Sequence, residues 1–314
     1  MTDSTPAAAA PSGVRLLKLL RLTAAKAWHD RVLGLSAEAA FWQLLSLPPL
    51  ALALLGGIGY VGNLIGHDSV RRVEQRLTDF SGHIVTPDVV HNVVQPTLHQ
   101  VLSQGRADVI SIGFLLAFWA GSSAMATFVN TITIAYGMRD LRGAVKSRLL
   151  ALLMYVMAVT TGAALLPIAV LGPANIHRLV PSWGDWLVRV LYWPVVVLVL
   201  MAALSLLYHF APPVRLRWRR AMPGAVLATG LFILGSYLLR LYLSYVIGRA
   251  QVYGTLAAPI AALLFFFVLA LAVLVGAELN ATLEQVWPTD RPPGLRSAFK
   301  DRMMPAAGSR MLRR

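Results

Sequence analysis

The sequence predicts an all-α fold, a polytopic membrane protein built as a bundle of six transmembrane helices. The first observation is composition: 57% of the 314 residues are hydrophobic and only 13% are charged, about half the share that a soluble domain usually carries. The second is that six apolar stretches are long enough to cross a hydrocarbon core of about 30 Å. The third is that basic residues crowd into alternate connections between these stretches, as the positive-inside rule describes for membrane proteins.

The six apolar stretches define the predicted organisation of the chain. Each holds roughly the 20 residues that a spanning helix needs, and each is too uniformly apolar for a core helix of a small soluble domain. They cover residues 39–65, 109–134, 149–171, 187–210, 223–247 and 256–279. The chain thus divides into an N-terminal segment (1–36), a membrane domain (37–284) and a basic tail (285–314).

The basic residues predict the orientation of the membrane domain. Twenty of the 28 Lys and Arg residues lie in the N-terminal segment, in the connections after the second and fourth stretches, and in the tail, whereas six lie in the connections on the other side. The positive-inside rule then predicts that both termini are cytoplasmic. The same asymmetry accounts for most of the net charge of +14, so the charge calls for no nucleic-acid partner.

Residues 14–28 mix basic side chains with leucines. On a helix, Arg15, Lys18, Arg21 and Lys26 fall on one broad face. This pattern predicts a juxtamembrane helix that lies on anionic lipid headgroups. The alternative is a helix that docks a protein partner.

The first connection on the opposite side, residues 66–108, is a sizeable polar segment. Capping residues and spaced valines predict a pair of short amphipathic helices there, folded onto the membrane domain. The segment holds four of the seven histidines: His67, His83, His91 and His99. No carboxylate completes a ligand set and the chain has no cysteine, so we predict no metal site and no cofactor.

Two adjacent prolines, Pro48 and Pro49, interrupt the first stretch. Each frees a backbone carbonyl one turn earlier, which neighbours or water must satisfy. Gln43 and Ser46 lie beside the interruption. One interpretation is a kink that serves packing, and the other is a broken helix that lines a cavity, as in transporters.

Polar residues return at the end of the sixth stretch, in the segment VGAELNATLEQ (275–285). At helical spacing Glu278 pairs with Thr282 and Asn280 pairs with Glu284, so the two pairs point in different directions. We expect the first pair to face the bundle and the second to meet headgroups and water. Glu278 is then either half of a structural ion pair or a gating or proton-coupling carboxylate. Its expected basic partners begin or end neighbouring spans: Arg139, Arg142 and Arg148.

Two further polar residues lie within predicted spans. Asn130 shares a helix face with Ser122, and this spacing of small residues predicts close helix packing with an interhelical hydrogen bond. Arg240 is the deepest charge. Either it snorkels to the outer headgroups, or it is an anion-binding arginine in an outward cavity, together with Arg189 and Arg249.

Four segments together resemble one protein family. The first span opens with AEAAFWQLLSLPPLALALLGGIG, and the second span and its exit read FWAGSSAMATFVNTITIAYGMRD. The fourth and fifth spans are linked by YHFAPPVRLRWRRAMPGAVLAT, and the domain closes with YGTLAAPIAALLFFFVLALAVLVGAELNATLEQ. Over residues 37–284 these segments are similar to the YihY/BrkB family of bacterial inner-membrane proteins. The resemblance implies six helices, an all-α fold and a bacterial inner-membrane location.

The resemblance implies no settled activity. Family members are described as transporters or virulence-associated membrane factors, and some carry an inherited label as a ribonuclease. The seven histidines of this chain form no tight cluster with aspartate that would hold catalytic metals, so we predict that it is not an enzyme. The chain also departs from the family before Tyr253 and Gly254, where it has Ala250, Gln251 and Val252 in place of polar residues.

Two functional hypotheses follow. The first is a transporter, or a lipid- or anion-handling protein of the cell envelope, that contacts its substrate along the first span and near Arg240. The alternative is a non-transporting membrane scaffold that binds a cytoplasmic partner through its basic face. The lipid bilayer, with anionic headgroups at the cytoplasmic face, is a partner in both hypotheses.

Overall fold

The computed structural model of the chain describes residues 12–65, 107–138, 141–176, 185–214, 217–247 and 257–287. Within these ranges all regular structure is helical. The described α-helices are α1 (Ser12–His29), α2 (Val32–Ile65), α3 (Ala107–Ala135), α4 (Ala144–Ile176), α5 (Asp185–Phe210), α6 (Met222–Ile247) and α7 (Ala257–Val286). A 3₁₀ turn, Trp218–Arg220, precedes α6. The predicted all-α membrane fold is confirmed.

Five segments of the described helices are long and apolar enough to cross a membrane. They are Ser111–Ala135, Ala144–Gly162, Val190–Phe210, Trp218–Tyr245 and Pro259–Val286. These segments correspond to the second through sixth predicted spans, and the first predicted span, residues 39–65, lies within α2. The predicted amphipathic loop (66–108), with its four histidines, and the basic tail (285–314) lie almost entirely outside the described residues.

Helix α7 is the centre of the bundle. It packs against α1, α2, α3 and α6, and α2 also packs along α3. Much of the buried surface comes from alanine, for example Ala39, Ala124, Ala228 and Ala277, which are at most 4% exposed. Small side chains let membrane helices approach closely, so van der Waals contacts and hydrogen bonds hold the bundle together.

The outer surface of the bundle is apolar. Large side chains such as Phe114, Leu153, Leu198 and Leu238 are each more than half exposed. A soluble monomer rarely exposes large contiguous apolar patches, whereas lipid chains cover such a surface without cost.

Two glycines set a close crossing between α6 and α7. A Cβ atom on Gly276 would lie 2.5 Å from the carbonyl oxygen of Gly224 and 2.6 Å from the hydroxyl of Tyr208. That hydroxyl donates a hydrogen bond to the carbonyl of Val273 (2.7 Å) and so ties α5 to α7. Small residues at the crossing therefore fix the distance between these helices.

Helix α1 is joined to α2 by a two-residue turn in which Arg31 adopts the left-handed conformation (φ 56°). The helix predicted at residues 14–28 is confirmed, but its basic side chains do not share one environment. Lys18 and Arg21 are exposed, whereas Lys26 turns inward and bonds to α3 and α7. The prediction of a lipid-facing role was therefore wrong for Lys26. We call the end of the bundle where α1 meets the C-terminal ends of α3 and α7 the basic end.

Candidate functional site: a buried polar cluster at the basic end

Four polar side chains near the end of α7 are buried. Glu278 is 0% exposed, Asn280 2%, Thr282 1% and Glu284 1%. The prediction that Asn280 and Glu284 meet headgroups and water was wrong. Because α1, α2, α3 and α6 all pack on α7, both directions in which the polar pairs point are covered by protein.

The Glu278 carboxylate forms an ion pair with Lys26 of α1. Its Oε2 atom lies 2.6 Å from Lys26 Nζ. The same ammonium group donates to the carbonyl of Ala135 and to Asp30 Oδ2 at 3.3 Å, so all three of its donors are used. Glu278 Oε1 is buried and has no hydrogen-bond partner among the described residues. The predicted ion pair is thus present, but its basic partner is Lys26 and none of the arginines that we expected.

The end of α3 explains why a lysine is needed at this point. Gly137 has a positive φ of 64°, its N–H donates to the carbonyl of Ile134, and the N–H of Met138 donates to the carbonyl of Thr133. This pattern is a Schellman motif, which satisfies two of the last carbonyls of a helix. The next carbonyl, that of Ala135, accepts from Lys26. The segment IAYGM therefore ends α3 and presents a carbonyl to α1.

Two arginines bind helix ends in the same way. Arg142 donates to the carbonyls of Ala211 (3.2 Å) and Pro212 (3.1 Å), which follow α5. Burial lowers the pKa of the Arg142 guanidinium from its ordinary value. Arg220 donates to the carbonyl of Trp287, directly after α7 (2.6 Å). Cations stabilise the negative C-terminal ends of helices, so α3, α5 and α7 each end on a basic side chain from another element.

The remaining polar side chains of α7 join it to the start of α6. Asn280 Oδ1 accepts from the Gly224 N–H (2.7 Å), and Asn280 Nδ2 donates to the carbonyl of Ala221 (3.1 Å). Asn280 therefore caps α6, whose first N–H groups have no partner within the helix. Glu284 Oε2 lies 3.8 Å from Arg220 Nη1, which adds an ion pair to the same junction.

The polar residues of the first span, Gln43 and Ser46, bond within their own helix. Helix α2 runs without a break from Val32 to Ile65 with Pro48 and Pro49 inside it. Gln43 Nε2 donates to the carbonyl of Ala39 within the same helix (3.1 Å), and Ser46 Oγ donates to the carbonyl of Gln43 (2.7 Å). The helix is thus continuous through the two prolines, and both side chains bond to carbonyls of their own helix. None of these residues joins the cluster around Glu278.

Asn130 and Arg240 lie apart from the cluster, and both are exposed. Asn130 was expected to make an interhelical hydrogen bond, but it lies on the open face of α3 together with Trp119, and the helices that pack on α3 leave that face uncovered. Arg240 is exposed on α6 near the exposed Tyr237 and Tyr245, an arrangement compatible with snorkelling. The side chains of its proposed neighbours Arg189 and Arg249 lie outside the described residues.

The sequence did not indicate Lys26 or Arg220 as members of this site. A usable signal for Lys26 is its position, because it is the last basic residue of α1 before the turn into α2. That places it closer to the apolar core than Lys18 or Arg21. Arg220 likewise directly precedes α6.

A family model described as virulence factor BrkB matches residues 23–300. The chain belongs to the virulence factor BrkB family. The resemblance inferred from the four segments is confirmed, and the BrkB match includes Lys26, Glu278 and Asn280. No solved structure matches the chain.

Several curated proteins are similar to this BrkB family member. The ribonuclease-like protein YfkH of Bacillus subtilis is 29% identical over 256 residues, 80% of this chain and 89% of YfkH. A UPF0761 membrane protein of Tolumonas auensis is 25% identical over 269 residues, 85% of each chain. UPF0761 membrane protein Smlt0865 of Stenotrophomonas maltophilia is 24% identical over 267 residues, 82% of this chain and 59% of that longer protein. The two UPF0761 names support a membrane location for the BrkB chain.

The ribonuclease-like name belongs to the Bacillus protein. In the part of the BrkB chain that the structure describes, no group of three or more His, Asp and Glu side chains is placed to hold a metal ion. The family is one of membrane proteins, and the prediction that the chain is not an enzyme stays a prediction.

Proposed function

We propose that the chain is a transporter, or a lipid- or anion-handling protein, of the bacterial inner membrane, and that the pair of Lys26 and Glu278 couples a proton to its movement. The supporting observation is a carboxylate with 0% exposure in an apolar bundle, held by a lysine from α1, a helix outside the predicted spans. Ionisable residues inside membranes are costly, and they commonly mark substrate or proton pathways.

The charges of the cluster give the coupling a physical basis. Glu278 and Asp30 both contact the single ammonium of Lys26, at 2.6 Å and 3.3 Å. With all three groups ionised the cluster carries one excess negative charge. In the proposed cycle the cluster takes up one proton, which removes this excess charge. Protonation removes the Coulomb attraction between Glu278 and Lys26 and leaves the side chain of Lys26 bound across the bundle only to the carbonyl of Ala135 on α3.

The mobile element in this proposal is α1. It contacts α7 and α2, and a two-residue turn connects it to α2. Loss of the ion pair would let α1 pivot about this turn and expose the ends of α3 and α7. Protonation of the cluster is a local change of charge, and it would shift α1 between a docked and an undocked position.

The orientation belongs to the same proposal. The distribution of basic residues supports a cytoplasmic location of both termini and of the basic end, by the positive-inside rule. The exposed Lys18 and Arg21 would then contact anionic headgroups of the inner leaflet. Reporter domains fused to the two termini test this. Both reporters should be active on the cytoplasmic side, and activity on opposite sides of the membrane would reject the orientation.

A flux assay tests the function itself. The purified full chain in proteoliposomes should move a fluorescent phospholipid or a small anion, at a rate that changes with a pH gradient. Glu278→Gln should remove the pH dependence and lower the rate by about tenfold, equivalent to 1.4 kcal/mol, whereas Lys18→Gln on the exposed side of α1 should behave as wild type. A protein that moves neither lipid nor anion, while it retains cytoplasmic partners through its basic face, would favour the scaffold instead.

A further inference from the structure

A second polar site lies on the open face of α3. Both α2 and α4 pack against α3, but in the described helices they make no substantial contact with each other. Trp119 and Asn130 are exposed on α3 between them. The side chains of Ser123 and Thr127 border the same face, since residues three and four apart lie together on a helix. We call this surface, with α3 as its floor and α2 and α4 as its walls, the α3 groove.

The walls of the α3 groove carry opposite charges. From α4, Arg148 Nη2 donates to Ser123 Oγ (3.0 Å) and Ser122 Oγ (3.4 Å). From α2, Glu38 Oε1 accepts from Thr127 Oγ1 (3.2 Å). The serine and threonine hydroxyls are buried, whereas Arg148 and Glu38 are exposed. The groove therefore presents a cation and an anion to its surroundings.

The two charges do not neutralise each other. Arg148 and Glu38 form no ion pair, and in the described residues neither has a partner of opposite charge. Their contact residues Ser123 and Thr127 are one helical turn apart, about 6 Å along the axis. Asn130 lies in the same open face, and its amide has no hydrogen-bond partner among the described residues. Unpaired charges on a membrane helix are costly, so a ligand with complementary charges would be bound favourably.

An aromatic pair lies directly beyond the charges. Trp42 of α2 and Trp119 of α3 make an edge-to-face contact with ring centroids 5.2 Å apart. Trp42 is four residues beyond Glu38, and Trp119 is four residues before Ser123, so the pair lies one turn farther from the basic end. Trp119 is 53% exposed. Its exposed ring offers an apolar surface beyond the two charges.

We propose that the α3 groove binds a phospholipid whose headgroup carries both a phosphate and a primary ammonium. Arg148 pairs with the phosphate, Glu38 pairs with the ammonium, and the glycerol region lies against Trp42 and Trp119. The exposed Asn130 amide provides a further hydrogen bond to the headgroup. This assignment rests on the proposed lipid handling, for which it names the lipid class.

The charge pattern separates this lipid from its alternatives. A headgroup with a phosphate but no ammonium would satisfy Arg148 but would meet repulsion from Glu38. A cationic amphiphile would pair with Glu38 but would meet repulsion from Arg148. Only a zwitterionic headgroup complements both walls, and guanidinium–phosphate pairs are among the stronger charge-assisted hydrogen bonds.

Lipid binding to the purified full chain tests the proposal. The chain in detergent would be mixed with dioleoyl phosphatidylethanolamine or dioleoyl phosphatidylglycerol, and the bound lipid would be counted by native mass spectrometry. We expect about tenfold preference for phosphatidylethanolamine, equivalent to 1.4 kcal/mol. Glu38→Gln should abolish the preference, and Arg148→Gln should weaken the binding of both lipids. The matched control Lys146→Gln, exposed on the same helix, should bind both as wild type does.

Three further arms keep the result decisive. Should Arg148→Gln fail to fold, Ser123→Ala removes the hydroxyl that positions the guanidinium and should lower phosphatidylethanolamine binding several-fold. Water-soluble phosphoethanolamine should not displace the lipid, and displacement would indicate a soluble ligand instead. A wild-type chain without a preference, or a Glu38→Gln chain that retains it, overturns the assignment. Glu278→Gln should retain the lipid preference, because Glu278 lies outside the α3 groove. The flux of that variant therefore tests the coupling proposal alone, and its lipid preference tests the groove alone.

Discussion

The pair of Lys26 and Glu278 makes a quantitative prediction about stability. Lys26→Met keeps the length of the side chain but leaves the carboxylate of Glu278 buried without its charge partner. Removal of one member of a buried ion pair destabilises a protein by about 3–5 kcal/mol. Glu278→Gln should cost less, about 1–2 kcal/mol, because Lys26 keeps its contacts with Asp30 and with the carbonyl of Ala135.

The double variant Lys26→Met/Glu278→Gln gives the sharper test. It leaves no unpaired charge at the fully buried position of Glu278, so we expect it to be more stable than Lys26→Met alone. The interaction energy in a double-mutant cycle should then be about 2 kcal/mol, within the range for residues in contact. Unfolding by SDS in mixed micelles, followed through tryptophan fluorescence, measures all of these free energies.

The control for this cycle is Lys18→Met, at an exposed position of α1. We expect a change of at most about 0.5 kcal/mol, as for most surface substitutions. If Lys26→Met costs no more than Lys18→Met, or if the double variant loses at least the sum of the single losses, the buried ion pair does not hold α1 in place.

Three further substitutions, one of them with a matched control, test other contacts in the bundle by the same unfolding measurement. Gly276→Ala brings a Cβ to within 2.5 Å of the carbonyl of Gly224 and should cost about 1–3 kcal/mol. Its control, Gly230→Ala, adds a Cβ where nothing lies within 4 Å and should be neutral or slightly stabilising. Equal losses in the two variants would argue against the close crossing. Asn280→Ala leaves the buried N–H of Gly224 without its acceptor and should cost about 1–3 kcal/mol, so wild-type stability would exclude the cap. Gly137→Ala forces a left-handed alanine and should cost about 1–2 kcal/mol, and no loss would mean that α3 ends in another way.

Composition and apolar length were sufficient to predict the class of the fold. The predicted spans at 109–134 and 223–247 match α3 (Ala107–Ala135) and α6 (Met222–Ile247) closely, because hydrocarbon imposes a minimum length on any helix that crosses it. The leucine- and lysine-rich segment at 14–28 was also recognisable as a helix. These features depend on local sequence alone.

The partners of the polar residues depend on which helices are neighbours, and a single sequence does not contain that information in its periodicity. Glu278 was recognisable as a residue that needs a cation, but its partner Lys26 is 252 positions away. Asn280 was assigned to water because the end of the last span was treated as half solvated. Its real environment follows from the four helices that surround α7.

Asn130 was expected to be packed against another helix, but it is exposed. A run of small residues predicts that a helix face is packed, but α3 has small residues on more than one face. Ala120 and Ala124 are buried, whereas Asn130 is exposed. The choice between the faces is made by the positions of α2 and α4.

The contact between Lys26 and Glu278 also has a consequence for biogenesis. Ribosomes make the N-terminal part of a chain first, so Lys26 is synthesised and reaches the membrane surface well before Glu278. Until α7 has inserted, the carboxylate available to the Lys26 ammonium is that of Asp30, and the Glu278 carboxylate follows with α7. A chain that lacks α7 would therefore leave Lys26 without the carboxylate of Glu278 and α1 without the helix on which it packs.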